Sequence, residues 1–294
     1  MSITSPCTGI CKLDEATGWC LGCARTGDEI ADWRLRGEAE RTAVWNALPE
    51  RFAALGVSCR RLPWTTEEIR DFVVQSLDEG LGTWTIGVVG GLAEFASARG
   101  APTQVETLDN VVTARTDGGR LRFVIDDDVR ALTFEAASVS WARSRIVLAV
   151  KRERGRPAVS DRLAALGPDG NAVSPEDRTA ELFDLGLGRK EARFCVRGAS
   201  GNAKTVLSRS IGSRFSDNLP QIGPALLAES PTRVVESALG RIEVLSRIPM
   251  PGGISPPGPH THLLPDHLVT GRAMPAGMDL PRAYLPGSIF YPLP

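Results

Sequence analysis

The stretch Thr65-Thr-Glu-Glu-Ile-Arg-Asp-Phe-Val-Val-Gln-Ser-Leu-Asp-Glu79, and the Thr83-Trp-Thr-Ile-Gly-Val-Val-Gly-Gly-Leu-Ala-Glu-Phe95 that follows it, decide the fold class. In the first half Ile69, Phe72, Val73 and Leu77 recur at helical spacing, and Thr65 with Glu68 forms a capping box. The spacing predicts a helix over 66–79, ended by Gly80 and Gly82. From Thr83 the period changes. β-formers dominate, broken by Gly87, Gly90 and Gly91, which predicts one bent or bulged strand over 83–95. Strands grouped among helices without βαβ alternation indicate α+β with a largely antiparallel sheet.

Working outward, further strands are expected at 110–114, 121–125, 145–151, 193–196 and 241–248. Helices are expected at 160–166, 175–182, 201–213 and 220–228. The last part changes character: Pro249–Pro294 holds 11 of the 21 prolines and both tyrosines. Little of it should be helix or central strand, and it is too apolar for a solvated tail, so an extended strap lying across the domain is expected. Residues 66–294 thus form a larger α+β domain, and 56–65 read as a basic linker ended by Pro63.

Ahead of the linker, residues 1–57 form a small unit of different chemistry. Cys7, Cys11, Cys20 and Cys23 fall within seventeen residues in the pattern C-x3-C-x8-C-x2-C. Thiolates at such spacing can converge on one metal, and a short segment with few core residues needs such a staple. Zn(II) and an iron–sulfur cluster both suit four sulfurs. Lys12 and Arg25 flank the knot and offset part of its negative charge. Thr26 with Glu29 should cap a helix over 28–35, broken at Gly37. A second helix is expected over 38–48, and a third opened by Pro49 through Leu55. Trp19, Trp33 and Trp45 are expected to fill core beside the knot.

The remaining reactive residues are few. The three histidines, His260, His262 and His267, all lie within eight positions. In an extended segment His260 and His262 project to one side, and His267 can return after Pro265, with Asp266 nearby. Such a cluster suits a second metal, a haem ligand or a general base; the plain alternative is that the rings hydrogen-bond backbone in a proline-rich segment. In Arg193-Phe-Cys-Val-Arg197 the two arginines share Cys195's side of a strand and would favour a reactive thiolate, against the alternative of a buried inert thiol. Cys59 reads as an exposed free thiol. Gly87-Val-Val-Gly90-Gly91 fits neither the dinucleotide nor the P-loop pattern, and Gly198-Ala-Ser-Gly201 lacks nucleophile-elbow spacing. Asp126-Asp-Asp128 reads as a solvated turn.

Composition narrows the function classes. At 294 residues, Lys+Arg 34 balance Asp+Glu 35 for a net charge of −1, so no global field favours nucleic acid or an anionic membrane. The longest apolar runs, such as Ile146–Val150, are far too short to span a bilayer. No basic n-region or apolar h-region opens the chain. Six cysteines without an export signal point to reduced thiols in a cytoplasm, used for metal rather than disulfides.

Two resemblances add to this. Ser5-Pro-Cys7-Thr-Gly-Ile-Cys11-Lys-Leu-Asp14, Thr17-Gly-Trp-Cys20-Leu-Gly-Cys23-Ala-Arg-Thr26, Asp28-Glu29-Ile30 with Trp33, and Ala39-Glu-Arg41 resemble a family of small bacterial cysteine-rich domains of unknown function labelled predicted iron–sulfur proteins. The resemblance covers about residues 4–55, implies that Cys7, Cys11, Cys20 and Cys23 are that family's cysteines, and favours iron–sulfur. Phe183-Asp-Leu-Gly-Leu-Gly188, Phe194-Cys-Val-Arg197, Leu239-Gly-Arg-Ile-Glu-Val244 and Gly258-Pro-His-Thr-His-Leu-Leu-Pro265 resemble uncharacterised bacterial proteins over roughly 66–294, with no activity attached. Three functions follow as expectations. One is a metal protein whose larger domain binds a small-molecule ligand or protein partner. The others are a metal-dependent enzyme using the histidines, and an electron-transfer or iron-sensing accessory protein.

Overall fold

Thr26 starts the first helix as its sequence predicts: its hydroxyl accepts from Glu29 N and its own N–H donates to Glu29, capping α1 (Gly27–Ala31). The computed structural model describes residues 5–7, 12–55, 60–88, 91–97, 102–134, 143–188, 192–250, 253, 258–263, 280 and 284–293. Helix α2 runs unbroken over Glu38–Ala54 with Pro49 inside it, so the two helices expected there are one. Burial of Val44, Leu48 and Phe52 along one side, against Ala24 and Trp33, holds the helix together through the proline. Helix α3 (Thr66–Asp78) carries the expected Thr65/Glu68 box and buries Ile69, Phe72, Val73 and Leu77.

Among the described residues the strands form two sheets, and every pairing is antiparallel. The seven-stranded sheet runs β1 (Arg60–Arg61), β7 (Val129–Thr133), β8 (Ile146–Lys151), β15 (Tyr284–Pro292), β2 (Gly82–Val88), β3 (Gly91–Ala96) and β14 (His260–Leu263). The eight-stranded sheet runs β4 (Gln104–Leu108), β5 (Val111–Thr116), β6 (Gly119–Val124), β13 (Gly240–Val244), β12 (Thr232–Ser237), β11 (Ala192–Arg197), β10 (Glu181–Asp184) and β9 (Ala164–Pro168). They pack face to face through β2, β3 and β15 of the first and β6, β11, β12 and β13 of the second. Trp84, Phe95 and Phe290 meet Phe123, Phe194 and Ile242 in the shared core. Helix α3 reaches β4 and β5 of one sheet and β7 of the other. A helical hairpin, α4 (Gly201–Arg209) and α5 (Phe215–Glu229), adds Leu207, Ile222 and Leu226 to the same core.

Several expectations are corrected. Residues 83–95 are two strands, not one: Val88 pairs with Gly91 across a full reversal of the chain. The helix expected over 160–166 is instead irregular chain entering β9, which turns at Gly167 (φ +78°) and pairs with β10. Only Pro175–Asp177 of the helix expected at 175–182 is helical, a single 3-10 turn, because Leu182 and Phe183 are drawn into β10. The linker's Arg60 and Arg61 add an edge strand to β7. The C-terminal region does not lie across the domain as a strap over 284–292: β15 is a central strand between β8 and β2. Its prolines are tolerated because the register shifts between Pro286 and Ser288, and Pro292 closes the strand. His260–Leu263 forms an edge strand; most of the residues between β14 and β15 lie outside those described.

Gly287 sits in that bulge, close against the other sheet. A Cβ there would meet Leu239 Cβ at 2.6 Å and Leu148 O at 2.9 Å, and Gly287 O accepts a hydrogen bond from Ser237 Oγ (2.8 Å) of the other sheet. Gly287→Ala is therefore expected to destabilise the domain by about 1–3 kcal/mol in urea unfolding. Gly155→Ala, where a Cβ meets nothing within 4 Å, should leave the midpoint unchanged.

Candidate functional site

Residues 12–26 fold on themselves as a small hairpin, with Leu13 bridging to Cys20 and Trp19 to Thr26. Gly18 supplies the left-handed turn (φ +70°), and Asp14 accepts hydrogen bonds from the N–H and hydroxyl of Thr17. These hold the Asp14 carboxyl below its usual range, the side-chain bond contributing most. Beyond it the chain wraps around Cys20: Cys23 N and Ala24 N both donate to Cys20 O (3.2 and 2.7 Å), Cys20 N donates to Arg25 O (2.8 Å), and Ala24 is left-handed (φ 53°). Both thiols are buried. Cys7 is half-buried, and Cys11 lies outside the described residues. Among the described residues, no three His, Cys, Asp or Glu side chains converge closely enough to hold a metal ion.

Two arginines close on this knot. Arg25, 2% exposed, donates from Nε to Cys23 Sγ (3.4 Å) and stacks over Trp33 at 4.8 Å. Arg61, 6% exposed on β1, donates from Nη1 to the carbonyls of Ser5 and Cys7, tying the cysteine segment to the seven-stranded sheet. Among the described residues neither guanidinium meets a carboxylate, and Arg25 Nη1 and Arg61 Nε lack hydrogen-bond partners. Burial pulls Arg61 down to about 10, with Arg130 adding repulsion and Tyr284 and Cys7 opposing it. Burial likewise pushes the Cys23 thiol up to about 11, against the pull of Arg25.

The histidine region lies far from the knot. One lateral row crosses the seven-stranded sheet: Arg61, Leu132, Val147, Ile289, Thr85, Glu94, His260. From β1 to β14 are six strand intervals, roughly 29 Å at the usual spacing, so the cysteines and His260 share no site. At the far end His260 Nδ1 lies 2.7 Å from Gly258 O, and Nε2 lies 3.3 Å from Glu94 Oε2. For His260 the backbone bond matches the plainer sequence reading. Since a carbonyl only accepts, Nδ1 carries a proton, and Nε2 faces a fully buried carboxylate. His262, on β14 with His260, pairs with Leu92 of β3, while its side chain and all of His267 lie outside the described residues.

Cys195 is not an activated thiol. It faces away from the shared core with Leu182 and Val234, fully buried. Burial raises it well above the usual thiol range, with Asp184 and Glu236 adding to the rise. The arginines expected to activate it are engaged elsewhere, Arg193 with Glu236 (2.7 Å) and Arg197 with Asp169 (3.0 Å) and Glu243 (2.8 Å). Cys59 lies outside the described residues. The triple aspartate is a turn neutralised by neighbours, Asp126 by Arg154 and Asp128 by Lys151. Sequence reasoning missed Arg61 and Glu94, although Glu94 is the one charged residue between Thr83 and Phe95.

Fold and site together define a two-sheet antiparallel α+β protein carrying a cysteine-rich helical module at its N-terminal side. Residues 68–294 match the model of a family of unknown function (DUF6925), and residues 5–52 match that of a protein of unknown function (DUF1289). The chain belongs to the DUF6925 family. Over 49 residues it is 39% identical to the uncharacterized protein YdhL of Escherichia coli (strain K12), and equally to YdhL of Shigella flexneri. That match takes in 17% of this chain and 61% of the relative, so the chain spans about three-fifths of the length of the curated relatives it matches. No solved structure matches the chain. No helix among the described residues is long and apolar enough to cross a membrane.

A buried neutral thiol resists alkylation. Cys195 should remain unmodified by iodoacetamide in native protein at pH 8 and react fully in guanidinium, as read by peptide mass spectrometry. Its raised pKa means that the unfolded chain loses the thiol proton first. Its contribution to stability is present below the ordinary thiol pKa and is lost as pH rises through that range, and Cys195→Ala should flatten that alkaline decline.

Proposed function

We propose that residues 5–55 are a metal-binding module in which Cys7, Cys11, Cys20 and Cys23 hold Zn(II) or an iron–sulfur centre, and that the two-sheet domain binds a ligand or partner. One observation carries the reading: Arg25 and Arg61 are buried against the cysteine segment without a carboxylate among the described residues. A buried cation is costly unless an anion faces it. Four thiolates around a divalent ion leave a net charge near −2, which would neutralise both guanidinium groups. The donor chemistry fits. Arg25 already points Nε at a sulfur, as a group that holds a thiolate does, and the turn at Cys20–Cys23 gathers two thiols.

Metal would displace the thiol protons, so uptake should release protons, and acid should reverse it. Its contribution is to draw in a segment whose own apolar core is Ala24, Trp33, Val44, Leu48 and Phe52. Elemental analysis with an absorption spectrum on anaerobically purified protein tests the proposal. One zinc in a colourless protein indicates a structural staple; sulfur-to-iron charge-transfer bands indicate a cluster and favour an electron-transfer or iron-sensing role. Cys20→Ser should lose the metal and the helicity of residues 27–54 while the two-sheet domain keeps its cooperative melt. Protein that holds no metal, or one transition lost as a whole, would sink it.

A second reading rests on His260 and Glu94. Nδ1 anchored to a backbone carbonyl leaves Nε2 directed at a buried carboxylate, an arrangement suited to a second metal or to a metal-dependent enzyme's acid–base pair. In a calorimetric Zn(II) titration of the full chain, His260→Ala should bind one equivalent fewer than the unsubstituted protein. Equal stoichiometry would return the pair to a structural role.

A further inference from the structure

The outer face of the eight-stranded sheet carries a row of charges in lateral register: Arg122 on β6, Arg241 on β13, Glu236 on β12 and Arg193 on β11. Alternation puts them opposite the apolar core, since Leu121, Phe123, Ile242, Val235 and Phe194 face inward. The loop before β10 folds over part of this face and brings two carboxylates. Asp169 accepts from Arg241 Nη1 (2.9 Å) and Nη2 (2.7 Å) and from Arg197 Nη1 (3.0 Å), and Asp177 accepts from Arg197 Nη2 (3.0 Å). Glu236 is neutralised twice, by Arg193 at 2.7 Å and Arg241 at 3.0 Å. Burial works against ionised Asp169, but its two arginines outweigh it and hold the carboxyl below its usual range. These groups satisfy one another.

Beside them opens a cavity of about 410 Å³, lined by Arg122, Arg156, Arg193, Arg241, Asn171 and Glu236 among others. Its balance is different. Four guanidinium groups face one carboxylate, and that carboxylate is already shared between Arg193 and Arg241. Arg122 and Arg156 make no ion pair or hydrogen bond among the described residues. Arg122 also stands directly across from Arg241, and like charges at opposed positions of an antiparallel pair repel. Arg122, half-buried on β6, and Arg156, exposed on the loop after β8, bring two guanidinium groups without a partner among the described residues to one cavity beside a satisfied network, which favours an anion there. Arginine's planar fork matches phosphate oxygens bidentately, and two forks suit a dianion better than a single carboxylate. The volume exceeds that of a bare phosphate and lies in the range of small-molecule sites.

We infer that this cavity binds a small molecule carrying a phosphate group, held by Arg122 and Arg156 and bordered by the Asn171 amide. The site is independent of the cysteine module. Neither arginine belongs to the Asp169–Arg197–Glu243 network, so each can be replaced without unpairing a buried charge. Isothermal titration of the full chain with inorganic phosphate, at ionic strength matched with chloride, reads it directly. Saturable binding is expected, weakened about tenfold or more in both Arg122→Gln and Arg156→Gln, with unchanged melting temperatures. Absence of saturation, or equal affinity in both variants, overturns the proposal. Tighter binding of malonate than of phosphate overturns the assignment to phosphate.

Discussion

The indole of Trp84 has one polar atom and no exposed surface, and the architecture follows from how that atom is satisfied. Nε1 donates to Ser76 Oγ (2.9 Å), whose hydroxyl donates in turn to Val73 O (2.8 Å), so the tryptophan is bonded to the last turns of α3. Its ring packs against Phe72 of that helix (5.9 Å), Phe290 of β15 (5.1 Å) and Phe123 of the opposite sheet (5.5 Å). An unpartnered buried N–H would cost about 1–3 kcal/mol, and each aromatic contact adds about 1 kcal/mol beyond area burial. One side chain thus joins the helix, both sheets and the C-terminal strand. That junction explains why the proline-rich end of the chain is built into the core: Phe290 completes it.

With the interior largely committed to apolar side chains, ionised groups lie mainly on the two outer faces, Arg233 on the inward side of β12 being an exception held by two carbonyls, and the faces solve the burial problem differently. On the eight-stranded sheet each buried arginine in the network finds carboxylates, Arg197 and Arg241 between them using Asp169, Asp177, Glu236 and Glu243. Such a network gives little net stability over apolar packing but fixes the loop that carries Asp169 in one place. On the seven-stranded sheet Arg25 and Arg61 are buried with carbonyls, a sulfur and an indole, none of which carries a formal charge when the thiols are protonated. The same physical rule that completes the first arrangement leaves the second without a formally charged partner among the described residues.

The parts of the fold visible in the sequence were those with local causes. Thr26/Glu29 and Thr65/Glu68 announced two helix starts, and the stripe Ile69, Phe72, Val73, Leu77 gave the buried face of α3. Strands around Leu121, Ile146 and Phe194 read correctly because they are apolar on alternate positions or throughout. What failed depended on distant partners. Leu182 and Phe183 look helical among polar neighbours until β11 is there to pair with them. Pro286 argues against a central strand unless a bulge at Gly287 absorbs it. At the site, the cysteine spacing and the Arg25 flank were legible, but Arg61 lies 38 positions beyond Cys23 and reaches the knot only because β1 joins β7. Arg193 and Arg197 were placed on the correct side of Cys195, yet the carboxylates that claim them come from three other segments.

The row from Arg61 to His260 also limits how the chain's chemistry can be coupled. Between the two ends stand Leu132, Val147, Ile289 and Thr85, three apolar side chains and one hydroxyl that donates to Ile289 O. None of them ionises, so no chain of titratable groups runs along the row from the cysteine segment to Glu94. At roughly 29 Å the direct Coulomb interaction between the two ends is small even in a partly buried setting. Any coupling would have to pass through movement of the sheet itself. That sheet is pinned at its centre, where β15 is bonded on both sides and Ser237 of the opposite sheet donates to Gly287 O. A partition pinned in this way keeps its two ends apart, so perturbations at Cys20 and His260 should be additive in free energy.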